Sequence, residues 1–377
     1  MTTYLLAGGG TAGHVNPMLA IADFLRRHEP DCVIVMLGTA EGLEARLVPQ
    51  AGFELATIAK VPFPRRPNWA AVTFISKWRR AVSDVKALIS ERGVDVVVGV
   101  GGYASAPAYA AARAMKIPFA VHEANARPGL ANRLGARWTR FVGVAIDGTR
   151  LRHARLVGMP LRREFESDVS EAEKRIARTS FGLDPSRPTI VVTGGSLGAV
   201  RLNGVTAEVA NELVRVGIQV LHITGGRRTS PLDGKTASLP SASAEPTNGY
   251  VVMEYCDRMR DALVCADVVV SRAGASTVCE IAALGLPAVF VPYPIGNGEQ
   301  RFNAVPLVSA GAAMLVPDAE FTADWMRKHV VPLVGDRTRC REMAQAARDL
   351  GIRDGAARMC ALIDEARASG VVANPLS

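Results

Sequence analysis

The sequence predicts an α/β protein built of two doubly wound domains, and three observations carry that prediction. Short, wholly apolar runs alternate with helical patterns, the runs form two series, and each series opens on a glycine turn leading into a helix. A strand apolar on both faces is buried on both, which calls for a parallel sheet covered by helices. The first series is Tyr4–Ala7, Val33–Leu37, Val94–Val100, Phe119–Val121 and Phe141–Ala145. The second is Thr189–Thr193, Val220–Thr224, Tyr250–Met253, Asp267–Ser271, Ala288–Pro292 and Ala313–Val316. At 377 residues the chain suits two domains of about 150–200 residues each.

The break falls at Gly158-Met-Pro-Leu-Arg-Arg163, ahead of the polar, acidic stretch Glu164–Lys174. Leu232–Asn248, rich in Ser, Ala and Pro, reads as a loop. We place the first domain at residues 1–161 and the second at 162–351. Residues 352–377 follow, with the helical stretch Met359–Arg367 returning to the first domain. An internal echo supports the pairing. Leu5-Leu-Ala-Gly-Gly-Gly-Thr-Ala-Gly-His14 and Ile190-Val-Val-Thr-Gly-Gly-Ser-Leu-Gly-Ala199 both run strand, glycine turn, helix. Each offers backbone N–H groups and a helix N-terminus to an anion. Sheets of this kind bind ligands at the carboxyl ends of their strands, hence in a cleft between the two domains.

Composition narrows the class. No run of about 18 apolar residues exists, so no helix is expected to span a bilayer. The start lacks a basic n-region and reads as a buried strand, which suits a cytoplasmic protein. Six scattered cysteines without a CxxC pair fit reduced thiols and no metal site. The net charge of +8 suits an anionic partner. No run of interleaved basic and aromatic residues points to nucleic acid, whereas a phosphate-bearing substrate or an anionic membrane explains the charge equally well.

The loop Gly8-Gly-Gly-Thr-Ala-Gly-His-Val-Asn-Pro17 lacks the Gly-Lys-Ser/Thr of a Walker motif. Asn16 is in place to cap the next helix, with Pro17 at its first position. His14 at the mouth of the loop suits a base or a phosphate partner, and equally a structural histidine. Gly99-Val-Gly-Gly-Tyr103 and His122-Glu-Ala-Asn125 end neighbouring strands, so three loops converge on one pocket. In the second half, Thr277 and Glu280 have capping-box spacing, and Glu280 is also placed to bind ribose hydroxyls. Gln300 and Asn303 lie one helical turn apart with amides suited to sugar hydroxyls, or to solvent. In the stretch 62–89, Phe74, Trp78, Ala81, Val85 and Leu88 form a core stripe. Phe63, Trp69, Val72 and Ile75 fall outside it among Arg65, Arg66, Lys77, Arg79 and Arg80, a pattern suited to anionic lipid or to an ordinary charged helix back.

Taken together, these motifs closely resemble those of the MurG family, the UDP-N-acetylglucosamine:lipid I N-acetylglucosaminyltransferases. The resemblance runs the length of the chain. It also takes in Gly38-Thr-Ala-Glu-Gly-Leu-Glu-Ala-Arg-Leu-Val-Pro49, Val157-Gly-Met-Pro-Leu-Arg162, Gly194–Ala199, Arg272–Glu280 and Pro292–Ala304. It implies the GT-B architecture of two Rossmann-like domains and an inverting reaction without metal or other cofactor. The absence of any Asp-x-Asp is in keeping with that. By the resemblance, Glu280 binds the ribose and the backbone at Cys256 the uracil. Ser196, Ala275, Ser276 and Thr277 line the diphosphate and sugar, with Arg162 nearby, and Gln300 and Asn303 read the N-acetylglucosamine hydroxyls. Thr11, Ala12, Gly13 and Asn125 join the UDP-sugar set from the first domain. The lipid diphosphate lies on Gly9, Gly10, Gly13, Gly101, Gly102 and Tyr103, with His14 as general base. Ala124 and Leu197 stand where the family usually has glutamine, and each removes a local polar group. The implied partners are lipid-linked muramyl pentapeptide, the anionic cytoplasmic leaflet to which the protein is peripheral, and proteins of cell-wall synthesis and division. The rivals are another GT-B transferase, a UDP-sugar epimerase and a nucleotide-binding scaffold.

Overall fold

Each apolar run becomes a parallel strand in the computed structural model, which describes residues 1–63, 69–195, 199–226, 249–294 and 298–372. Two units result, Met1–Arg163 with Ile352–Ser377, and Glu164–Gly351.

In chain order the first unit holds β1 (Thr3–Ala7), α1 (Ala12–His28), β2 (Val33–Gly38), α2 (Glu44–Gln50), β3 (Glu54–Thr57), α3 (Trp69–Arg92) and β4 (Val96–Gly99). It continues with α4 (Ser105–Met115), β5 (Phe119–Glu123), α5 (Leu130–Gly135), β6 (Val142–Val144) and β7 (Ala154–Leu156). The strands form one seven-stranded parallel sheet in the order β3-β2-β1-β4-β5-β6-β7. Because β1 pairs with both β2 and β4, the connections leave it in opposite directions and open a crevice at its carboxyl end.

Alternate residues of β1 feed two cores, as the two-residue period of a strand requires. Leu5 packs with Val97, Val121, Ala81, Val85 and Tyr109 beneath α3 and α4. Tyr4 and Leu6 pack with Met18, Ile21 and Val98, and with Met359 and Ile363 of a last helix, here α13 (Gly355–Val372). At the amino end of β1 the Tyr4 and Thr2 hydroxyls each donate to Glu29 at 2.6 Å. Arg367 of α13 reaches the same carboxylate at 3.4 Å.

The second unit holds α6 (Glu171–Ser180), β8 (Thr189–Thr193), α7 (Val200–Arg215), β9 (Gln219–Ile223), β10 (Tyr250–Met253), α8 (Met259–Val264) and β11 (Val268–Ser271). Then follow α9 (Ala275–Leu284), β12 (Ala288–Phe290), α10 (Glu299–Ser309), β13 (Ala313–Leu315), α11 (Ala323–Gly335) and α12 (Arg337–Leu350). Its six parallel strands run β10-β9-β8-β11-β12-β13, so β8 and β11 flank the corresponding switch point. The expected loop Leu232–Asn248 lies outside the described residues.

Asp267 ties this unit's entry together. Its carboxylate accepts from Lys174 and Arg178 at 2.7 Å each and from the Thr189 N–H at 2.8 Å. Asp267→Ala strands a guanidinium whose side chain is only 7% exposed. The carboxylate is itself 26% exposed, so the loss belongs at the low end of the range for a broken buried pair, about 3 kcal/mol. A urea melt should show a lower midpoint with an unchanged slope. A midpoint equal to that of the parent protein contradicts the clasp.

Two expectations about the first unit need correction. Phe63, expected among the exposed lipid-facing residues, folds onto the core stripe, its ring 5.5 Å from Phe74 and 5.8 Å from Trp78. An aromatic ring beside two others gains more from that contact than from water. Ile75 remains 58% exposed, and Lys77, Arg79 and Arg80 are exposed beside it. Arg65, Arg66 and the side chains of Trp69 and Val72 lie outside the described residues. The second correction concerns α1, which begins at Ala12 rather than beyond Asn16. Thr11 is the extended cap residue, and Asn16 and Pro17 lie inside the helix. The chain turns straight from the glycine loop into the helix, and Pro17, lacking an N–H, leaves the Gly13 carbonyl without its helical donor.

Candidate functional site

The glycine loop after β1 is shaped from behind by a carboxylate. Glu44, the first residue of α2, is fully buried and accepts from the Gly10 N–H at 2.8 Å. It also accepts from the Thr39 N–H at 2.9 Å and the Thr39 hydroxyl at 2.8 Å. A Cβ at Gly9, Gly38 or Gly42 would strike this side chain, so three glycines make room for one carboxylate. Burial alone would raise the Glu44 carboxyl, but the Gly10 and Thr39 N–H groups hold it below its ordinary value. The expected role of Gly10 changes accordingly: its N–H serves Glu44 and not an incoming phosphate.

The turn after β4 lies directly on this loop. Gly102, at φ +87°, sits where a Cβ would meet the Gly9 backbone, and a Cβ on Gly101, at φ +97°, would meet the His14 ring. The Ser105 hydroxyl accepts from the Gly101 N–H at 3.0 Å and lies 2.8 Å from the Ala7 carbonyl, fastening the turn to β1. Tyr103 follows, 40% exposed, with the Lys60 ammonium 4.6 Å from its ring centre.

The end of β5 supplies the third loop. Glu123 accepts from the N–H groups of Asn125 and Gly129 and from the Asn132 amide, each at 2.9 Å. Asn132 also donates to the His122 carbonyl at 2.9 Å and accepts from the Tyr109 hydroxyl at 2.8 Å. His122 is completely buried, with Nε2 3.0 Å from the Gly158 carbonyl, and burial pushes its imidazole down to about 4. It is a neutral, inward-facing group that ties the end of β5 to the Gly158 carbonyl.

His14 stands where the three loops meet. Its Nδ1 is 3.3 Å from the Thr11 hydroxyl, and its ring lies over Gly101. Desolvation lowers its pKa below 6.5, while the Glu123 charge, a Gly9 backbone hydrogen bond and the Glu44 charge each pull the other way without overcoming it. The result is an imidazole that is neutral at neutral pH, as a proton acceptor must be. Thr11, Ala12 and Gly13 form the start of α1, whose cap residue makes no side-chain bond to the first-turn N–H groups.

In the second unit the switch point is lined by the entry to α9. Gly274 is the cap residue, in extended conformation and without a side-chain cap bond, so Ala275, Ser276 and Thr277 make up the first turn. The capping box expected of Thr277 and Glu280 does not form, because the chain turns at Gly274 and carries both residues into the helix; Glu280 belongs to the second turn. The Ser276 hydroxyl is buried without a hydrogen-bond partner among the described residues. Asn303 is fully buried behind this entry, its amide donating to the Ala273 carbonyl at 3.2 Å, and so braces the loop where a solvent- or sugar-facing amide was expected. Gln300 accepts from the Tyr293 N–H at 2.9 Å through its amide oxygen. Cys256 is half-buried in the loop between β10 and α8, Arg162 is exposed at the end of the first unit, and Ser196 and Leu197 lie outside the described residues.

Residues that sequence reasoning passed over hold much of this together. Glu44, Ser105 and Asn132 act in the first unit. In the second, Arg272 donates to the Val291 carbonyl at 2.9 Å and pairs with Asp318 at 2.6 Å. The one available signal was the pair of glycines, Gly38 and Gly42, set close before Glu44.

Comparison with known proteins agrees with this architecture. The Glycosyltransferase family 28 N-terminal domain matches residues 4–144, and the Glycosyltransferase family 28 C-terminal domain matches residues 189–359. The solved structure of MurG from Acinetobacter baumannii is similar, with a TM-score of 0.76 at 27% identity, over 97% of this chain and all of that one. The fold and the matched domains define a two-domain glycosyltransferase of the GT-B class. A protein of Leifsonia xyli subsp. xyli is 57% identical over 96% of this chain and 98% of its own. One of Clavibacter sepedonicus is 54% identical over 98% of each. Both are named UDP-N-acetylglucosamine--N-acetylmuramyl-(pentapeptide) pyrophosphoryl-undecaprenol N-acetylglucosamine transferase. This chain belongs to glycosyltransferase family 28 and, within it, to the MurG family.

Proposed function

We propose that this protein transfers N-acetylglucosamine from UDP to the muramyl 4-hydroxyl of undecaprenyl-diphosphate-linked muramyl pentapeptide, an inverting step of peptidoglycan synthesis. The observation that carries the reading is near full-length identity above 50% to transferases of that name. The geometry around His14 supplies the chemistry. The neutral imidazole takes the hydroxyl proton as the acceptor oxygen bonds to C1 of the sugar. The bond from C1 to the diphosphate oxygen breaks, and its electrons leave with UDP. First-turn N–H groups of α9, whose cap residue Gly274 has no side chain to bond them, suit the charge that grows on the departing diphosphate. With that term supplied by the helix, the reaction is metal-independent and needs no cofactor. Glu280 serves the ribose in this reading, and Gln300 the sugar.

The exposed Ile75 with Lys77, Arg79 and Arg80 on α3 suits the anionic inner leaflet, where the protein works as a peripheral enzyme on the cytoplasmic face. Among the described residues no helix is long and apolar enough to cross a membrane, in keeping with peripheral attachment. The test is transfer of radiolabelled N-acetylglucosamine from its UDP donor to a lipid I analogue with EDTA present. Label in the lipid product at an undiminished rate is expected. UDP binding without transfer overturns the reading, and transfer abolished by EDTA overturns its metal independence.

A further inference from the structure

We propose that Lys60 binds the phosphate groups of the acceptor beside Tyr103, an assignment that rests on the transfer reading above. Glu44 and Glu123 are both buried at the carboxyl edge of the first sheet, 0% and 2% exposed. Their partners are neutral donors: Gly10 and Thr39 for the one, Asn125, Gly129 and Asn132 for the other. Two carboxylates therefore stand behind the glycine turns with no cation bonded to either among the described residues. A diphosphate brought to the Gly101–Gly102 turn finds the Gly101 N–H already bonded to the Ser105 hydroxyl, and backbone dipoles alone do not offset the repulsion from two nearby carboxylates. The edge needs a cation of its own.

Lys60, on the connection from β3 to α3, places one there. Its side chain is exposed and its ammonium lies 4.6 Å from the centre of the Tyr103 ring. Tyr103 directly follows the Gly101–Gly102 turn, which is itself pressed against Gly9, so the charge is held at the lip of both glycine turns. An ammonium resting on an aromatic face keeps donors free for an oxygen on its other side. The contact with the ring is weak at an exposed site and yields to a charge-assisted bond. Phosphate at this place has two sources, the acceptor's diphosphate and the headgroups of anionic lipid. Nearness to the turns favours the first.

The experiment uses the full chain with Lys60→Met and Lys60→Arg, and a short-chain, water-soluble acceptor diphosphate free of vesicles. Lys60→Met is expected to raise KM for this acceptor about tenfold, the worth of one charge-assisted bond. The values of kcat and of KM for UDP-N-acetylglucosamine should stay within about twofold, because a ground-state contact has been removed. Lys60→Arg should restore most of the loss, and added salt should bring the parent protein towards the methionine variant. An unchanged acceptor KM overturns the proposal. So does a defect seen only with anionic vesicles, which assigns Lys60 to headgroups. If the parent protein itself fails to transfer, the transfer reading falls and takes this one with it; a working parent with an indifferent Lys60→Met sinks Lys60 alone.

Discussion

Replacing His14 by alanine should lower kcat about 10²–10⁴-fold, the usual worth of a positioned general base. The affinity for UDP should change by no more than about twofold, since the lost interaction forms only as the proton moves. The pH dependence gives a second, independent reading. The working form is the neutral imidazole, and desolvation sets its pKa below 6.5. The acid limb of kcat/KM should therefore lie below pH 6.5, with activity falling as pH drops through that limb and His14 takes up a proton. His14→Ala should lose the limb along with the rate. A variant that retains both would remove His14 from the chemistry and return it to the structural role that its contact with Thr11 also permits.

Glu44 should matter almost as much, though it is fully buried behind the glycine loop. Alanine there leaves the Gly10 N–H, the Thr39 N–H and the Thr39 hydroxyl without their acceptor in a fully buried site. Unsatisfied buried groups cost about 1–3 kcal/mol each, and shared relaxation brings the sum to about 4 kcal/mol. The empty space beside three glycines adds to the loss of loop shape. Glutamine keeps the volume but turns an NH2 towards N–H donors, which we expect to cost about 2 kcal/mol. It should also move the acid limb of the rate profile to lower pH, because the Glu44 charge raises the pKa of His14. Urea melts and pH–rate profiles on the two variants read these effects separately. Melts that match the parent protein for Glu44→Ala contradict the account of the loop.

Both edge strands of the second sheet, β10 and β13, were legible, but in the first sheet legibility depended on where a strand sits. The inner strands announce themselves because neighbours and helices cover both faces, leaving wholly apolar runs such as Val96–Gly99 and Val268–Val270. The strands β3 and β7 escaped notice, and they are the two edges of the first sheet. Their sequences, Glu-Leu-Ala-Thr and Ala-Arg-Leu, carry polar groups because an edge meets water and is protected by charge. The same division runs through the site. Glycine turns and His14 declare themselves locally, and the turns do meet. Glu44 reaches Gly10 across 34 residues and Asn303 reaches Ala273 across 30, and bonds of that span leave no local pattern. Phe63 misled for a related reason, since helical periodicity says nothing of a residue that precedes the helix and folds back upon it.

The helix α13 completes a core that β1 began, with Glu164–Gly351 inserted between them in the chain. Translation at about 5–20 residues per second puts on the order of ten seconds or more between those two parts of the first unit. Throughout that interval the face of the sheet bearing Tyr4 and Leu6, with Met18 and Ile21 of α1, has no Met359 or Ile363 to cover it. The inserted unit is continuous in sequence and free to fold while the ribosome is still moving. The older half of the polypeptide is thus the last to complete its core.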